Sequence, residues 1–331
     1  MANLQINFLR VIMVAIFATL ITAAPGQAAT MKIRVGVLAY GTVKWELDTV
    51  VHHGLDQAEG VELVVTELSG KNAIAIALQG GAVDAIVTDW IWVSRQRSSG
   101  ADFTFVPHSV AVGGLMVRPD AGIKSLDDLR GRKIGIAGGP VDKSWLMLRA
   151  FAKKKIGVDL KDVVEPTFAA PPLLNKIMLK GEIPAVLNFW HYTARLKAAG
   201  MTELVGVNEL LPALGVAGQP PLIGWVFSDK WAASNADTTK GFLRSLRAAK
   251  KILASSDSEW ERIRKLTKAS SDETFVALRD SYRAGIPKSF GDRDIVAADQ
   301  LFSILAKYGG RDLVGDSASL AAGTFWSGFR Y

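Results

Sequence analysis

The residues able to do chemistry are few. The 331-residue chain has no cysteine and only four histidines. Without cysteine, thiol catalysis and cysteine-ligated metal are excluded. The histidines show neither metal-ligand spacing nor a place in a serine–histidine–acid set. What remains is the chemistry of binding: lysines, carboxylates, amide side chains and nine tryptophans. Trp45, Trp90, Trp92, Trp145, Trp190 and Trp225 fall where strand-like runs give way to loops. Tryptophan offers a large flat apolar face and one N–H donor. Such groups suit a ligand with an apolar body, or a cation held over a ring.

The polar partners sit in the same loops. "AYGTVKW" follows an apolar run and brings Tyr40, Thr42 and Trp45 together. "SGKNA" opens a helix-like segment with Lys71 and Asn72; free N–H groups at such a start attract anions. "TDWIW" supplies Asp89 and Trp90, and "NFWHY" supplies Asn188, Trp190 and His191. "AGGPVDKSW" contains Gly139, Val141 and Asp142; its glycines permit close backbone approach and its proline suits a first helical turn. No arginine lies in any of these loops, so a bound anion would rely on backbone N–H groups and on Lys71 or Lys143. Asp89 and Asp142 equally suit helix caps, and His191 beside two aromatics equally suits packing. Trp231, Trp260 and Trp326 belong with the packing of C-terminal helices.

The elements that must carry these loops alternate. Short β-branched runs such as "KIRVGVLAY", "VELVVTEL" and "VDAIVT" are separated by segments of helical period, such as "NAIAIALQGG". That alternation predicts an α/β fold with a mostly parallel sheet. The chain also repeats itself. "GAVDAIVTDW" at 81–90 matches "GEIPAVLNFW" at 181–190, and "RVGVLAYG" at 34–41 matches "KIGIAGGP" at 133–140. Two matches at nearly equal offsets predict two lobes of one layout. Trp90 and Trp190 would then occupy equivalent strand ends, where ligands of open α/β sheets bind. Either they face each other across a shared cleft, or both are core residues under a following helix.

"ALQGGAVDAIV", "VGGLMVRPDAGIKSLDDLRGRKIGI" and "KIMLKGEIPAVLNFW" carry a resemblance. The chain resembles the periplasmic substrate-binding proteins of ABC importers of the nitrate/sulfonate/taurine type. Pro184 departs from that pattern, which often repeats the aspartate found at Asp84. The resemblance implies a type II periplasmic binding fold: two similar α/β lobes, each a mixed, mostly parallel sheet flanked by helices, joined by a two-segment hinge. The crossings fall near 109–117 and 220–227, giving lobe one as 31–112 plus 225–331 and lobe two as 113–224. In the middle stretch Ser125 and Asp128 read as a capped helix start and Gly131 as its stop. "TTKGFLRSLRAAKKILASS" and three further amphipathic segments predict C-terminal helices covering lobe one.

The same resemblance implies a small-molecule ligand, an ABC permease as partner and no cofactor, in a cleft-closing monomer. The ligand expected is an organic molecule with a polar or anionic end and an apolar body: a sulfonate, an aromatic carboxylate or a heterocyclic vitamin precursor. Two alternatives share the fold. One is an enzyme related to pyrimidine-precursor synthesis, whose motif contains cysteine. The other is an effector-sensing domain, whose DNA-binding helices would stand where this chain has "VIMVAIFATLITAA". That uncharged run follows Arg10 and precedes a small-x-small site at Gly26–Ala28, the pattern of a secretory signal peptide over 1–28. The location expected is thus periplasmic, and with no cysteine there is no lipid anchor. Removing Arg10 lowers the net charge from +7 to +6; the basic residues are spread among 32 acidic ones, a poor match for nucleic-acid binding.

Overall fold

A computed structural model describes residues 31–328; the expected signal peptide lies outside them. The first part of the chain runs β1 (Met31–Leu38), α1 (Val43–His52), α2 (Leu55–Ala58), β2 (Val61–Leu68), α3 (Lys71–Gln79), β3 (Ala85–Asp89), α4 (Trp90–Ser98) and β4 (Phe103–Ser109). The chain then leaves this sheet. It continues as β5 (Gly114–Val117), β6 (Lys133–Ala137), α5 (Lys143–Ile156), β7 (Glu165–Ala169), α6 (Pro171–Leu179), β8 (Ala185–Asn188), α7 (Trp190–Ala198), β9 (Thr202–Gly206) and α8 (Val207–Leu214). It returns as β10 (Ile223–Ser228), then α9 (Asp229–Ser234), α10 (Ala236–Ser255), α11 (Asp257–Thr267), α12 (Asp272–Ala284) and α13 (Asp292–Val314).

Two five-stranded sheets result, ordered β2-β1-β3-β10-β4 and β7-β6-β8-β5-β9. The first three strands of each are parallel, and an antiparallel strand, β10 or β5, follows them. The fold class expected from sequence is therefore the one observed. The internal repeat is visible in register: Val35 pairs with Ala85 in one sheet, and Ile134 with Ala185 in the other. Glycines recur at the next position for a packing reason. A Cβ on Gly36 would press on Val83 and Ile86, and one on Gly135 would meet Ile183 and Val186. Each small residue lets the residue leading into the central strand close over the sheet.

Two readings of the connecting region are corrected. The stretch at 114–117, read as part of a crossing, is strand β5 of the second sheet. The capped helix expected after Ser125 is one 3-10 turn, Asp127–Leu129. The Asp128 carboxylate does accept from the Ser125 amide and hydroxyl, at 2.8 and 2.9 Å, so the cap forms but the helix is not propagated. The four C-terminal helices form as expected. Helix α13 rests on both α4 and α5, which flank different sheets. One apolar cluster is accordingly shared by both sheets, with Ile86 and Phe105 from the first and Leu115, Ile134 and Leu187 from the second. Its burial is a main source of stability.

Candidate functional site

The site is built from helix starts. Helices α1, α3 and α4 begin after strands β1, β2 and β3 of the first sheet; α5 and α7 begin after β6 and β8 of the second. All five starts meet a cavity of about 190 Å³, walled by Thr42, Lys71 and Asp89 from one side and Asp142, Lys143 and Trp190 from the other. The starts of α1, α3 and α7 carry no side-chain cap, and such free backbone N–H groups favour an anion. Apolar walls come from Val37, Ile74, Val87, Phe189 and Leu222.

Its charges are arranged unequally. Asp89 caps α4, accepting from the Trp92 amide at 2.9 Å, and also binds the Lys143 ammonium at 2.6 Å. Burial would raise the Asp89 pKa, but Lys143, Lys71 and the Trp92 amide outweigh it, so the carboxyl is held below its ordinary value. Burial would likewise lower the Lys143 pKa, but Asp89 and Asp142 leave it raised. Both partners are thus held ionised. Asp142 caps α5 through the Ser144 amide at 3.0 Å. Lys71 makes no ion pair among the described residues; its Nζ stands 5.4 Å from the Phe189 ring centroid. Desolvation, then the Lys143 cation, lower the Lys71 pKa against the pull of Asp142 and Asp89. Lys71 is therefore the lining cation without a directly paired carboxylate, its charge offset in part by Asp142 in the same cavity.

Two wider spaces adjoin this cavity and share Gly41 and His191 with it. One, of about 430 Å³, is walled by Tyr40, Gly139 and Phe168; the other, of about 840 Å³, by Tyr40, Trp45 and Arg195. His191 stands at their junction. Its Nδ1 is buried without a hydrogen-bond partner, and desolvation, then Arg195, lower its pKa to about 3. The ring is neutral at physiological pH.

Of the residues singled out in the sequence, Thr42, Lys71, Asp89, Asp142, Trp190 and His191 meet at the inner cavity. Tyr40 and Gly139 line the outer spaces. Trp45 reaches the largest space but is mostly buried, its indole N–H donating to the Leu266 carbonyl at 3.2 Å. The others are placed elsewhere. Trp90 does begin α4 as Trp190 begins α7, yet it is fully buried, with its ring 6.0 Å from Phe325. Trp90 turns under α4 into the core shared by the sheets, so the two tryptophans do not face each other. Trp225 lies on the opposite face of β10, packed on Phe242, and Val141 packs against the core. Asn72 is exposed on α3 and lines none of these three spaces. Asn188 is buried and binds Pro171, Asn175 and the Phe189 amide, fastening the α7 start to α6. Sequence reasoning did not single out Phe189, Leu222 or Arg195. Arg195 lies five residues into α7, beyond any strand-end loop.

A mixed two-sheet fold with a cavity between the strand ends defines the periplasmic-binding-protein class of architecture. Residues 51–258, more than half of the chain, match the family model described as NMT1/THI5 like, and the chain belongs to that family. No curated protein matches it in sequence. Among solved structures it is similar to the periplasmic aliphatic sulphonate binding protein SsuA of Escherichia coli, at 18% identity and TM-score 0.70, over 89% of this chain and 97% of that one. It is also similar to the alkanesulfonate-binding protein SsuA of Xanthomonas axonopodis pv. citri bound to MOPS, at 16% identity and TM-score 0.67, over 89% and 98%. The desulfurization enzyme DSZB shares the fold as well, at 15% identity and TM-score 0.59, over 88% and 96%. At these identities the likeness establishes the fold.

Proposed function

We propose that the protein is an extracytoplasmic solute-binding protein that captures a small organic anion for an ABC import permease. The observation carrying this is the inner cavity itself: walled by elements of both sheets, ringed by helix starts, largely apolar, and lined by one lysine, Lys71, that no carboxylate pairs directly among the described residues. A sulfonate or carboxylate head fits Lys71 and the helix starts, and the apolar body fits Val37, Ile74, Val87 and Leu222. The fold shared with the two sulfonate-binding proteins supports this choice of ligand class. A periplasmic location and a permease partner follow from the same reading. No helix among the described residues is long and apolar enough to cross a membrane.

The enzyme reading rests on the fold shared with DSZB. Ser144 and His191 both line the cavity, but they are not hydrogen-bonded to each other, and a nucleophile needs an adjacent base. Capture without chemistry is therefore favoured. Native mass spectrometry of the purified protein, followed by denaturation and identification of the released molecule, tests both readings. An organic anion recovered unchanged supports capture, and turnover of that molecule on incubation would establish an enzyme. In calorimetric titration of the recovered anion, Lys71→Ala should weaken binding at least tenfold.

A further inference from the structure

The largest of the three spaces, about 840 Å³, has a distinct electrostatic character. Lys44, Lys176, Lys180, Arg195 and Lys268 line it, and no aspartate or glutamate does. Lys44 is neutralised by Glu67 at 2.5 Å, and Lys180 stands 3.8 Å from Glu182. Among the described residues Lys176, Arg195 and Lys268 have no carboxylate partner. Arg195 is the most telling. It is half-buried, and its Nη1 and Nη2 donate to the main-chain carbonyls of Lys268 and Thr267, at 3.0 and 2.6 Å. Carbonyls hold the guanidinium in place without cancelling its charge, and a half-buried cation with no counter-ion is costly to keep. One turn before it on α7, the buried Nδ1 of His191 is also left without a partner.

This basin shares Gly41, Thr42 and His191 with the inner cavity, so one molecule can occupy both. Building on the reading of the inner cavity as an organic-anion site, we infer that the ligand is a dianion. Its first anionic group sits at Lys71, its apolar middle passes His191, and its second anionic group sits in the outer basin against Arg195, Lys176 and Lys268. The neutral imidazole at the junction packs against the ligand's apolar middle without adding charge.

The test is calorimetric titration of the full mature chain with linear α,ω-dicarboxylates from succinate to sebacate and with α,ω-alkanedisulfonates. Each is compared with the monoanion of equal length. At the length that spans the two chambers, the dianion should bind at least tenfold more tightly than its monoanion. Arg195→Met should remove that advantage and leave the monoanion affinity unchanged. Arg195 also holds two carbonyls, so Lys176→Met serves as a second variant, because the exposed Lys176 side chain makes no hydrogen bond or ion pair among the described residues; it should reduce the advantage severalfold. Monoanions that bind through Lys71 with no dianion advantage at any length would overturn the dianion inference and leave the solute-binding reading standing. Absence of binding by every probe would overturn both, as would equal loss of monoanion and dianion in Lys176→Met for the inference alone.

Discussion

At the scale of residues, equivalent sequence positions carry different duties. Trp90 and Trp190 both begin helices after parallel strands, yet Trp90 is sealed in the core and Trp190 borders the cavity. Trp90→Ala should cost about 3–5 kcal/mol of stability, as large-to-small core changes do, and leave the affinity of the folded protein unchanged. Trp190→Ala removes a cavity wall, and its edge contact with Trp45 at 6.0 Å. It should weaken ligand binding about tenfold or more. Thermal melts beside titrations separate the two, and loss of affinity in Trp90→Ala would contradict the core assignment. A second prediction concerns acid. Glu259 joins α11 to α1, accepting from Thr49 at 2.8 Å and lying 3.1 Å from His53, and it is paired with Arg262. Burial would raise its pKa, but Arg262, then Thr49 and His53, hold the carboxyl at about 2. Its folded pKa lies below its unfolded value, so its contribution is complete above about pH 4.5 and is lost as pH falls toward 2. Glu259→Gln should therefore lose on the order of 2–3 kcal/mol at neutral pH and lose little near pH 2. Denaturant melts across that range measure it, and a loss independent of pH would contradict the ion-pair account.

At the scale of elements, the fold was legible because period and repeat are local. The 81–90 and 181–190 stretches differ in most side chains but keep the glycine, an alanine, three aliphatic positions and the tryptophan, and they form matching strand–helix corners. Lys71, Asp89 and Asp142 could be found for the same reason, since strand ends predict which loops meet. The direction in which a helical side chain turns is set by partners distant in sequence, and this hid the rest. Phe325 receives Trp90, and Phe242 receives Trp225. Arg195 escaped because its basin is completed by residues 266–274, which no strand-end rule brings beside α7. Gly113 shows how tightly the corners are fitted. Its φ of 109° already disfavours a side chain, and a Cβ would run into the Asn188 carbonyl and the Trp190 amide. Gly113→Ala must displace the α7 start or strand β5. It should lower the melting temperature and weaken ligand binding together, whereas Gly139→Ala, with a similar φ but open space around its Cβ, should cost less on both measures.

At the scale of the whole molecule, the question is what holds the two halves around the cavity. Helix α13 spans one side, resting on α4 and α5, while α12 meets α7 on another. Between them the Lys143–Asp89 pair links a helix of the second sheet to a strand end of the first across the cavity itself. In a hinged protein an ion pair placed there acts on the opening equilibrium, because opening separates the two charges and rehydrates them. A ligand that contacts both halves adds to the closed state alone and shifts the same equilibrium. Removing one charge would leave its partner buried and unpaired, so the clean probe is the double variant Asp89→Asn with Lys143→Met. Without ligand, its radius of gyration by small-angle X-ray scattering should exceed that of the native protein. At saturating ligand the two radii should coincide, with the variant needing more ligand to reach that point, since closing is then less populated beforehand. Identical scattering with and without ligand, in both proteins, would mean that the halves form one rigid body. In that case the pair would serve only to cap α4 and to set the charge of the cavity.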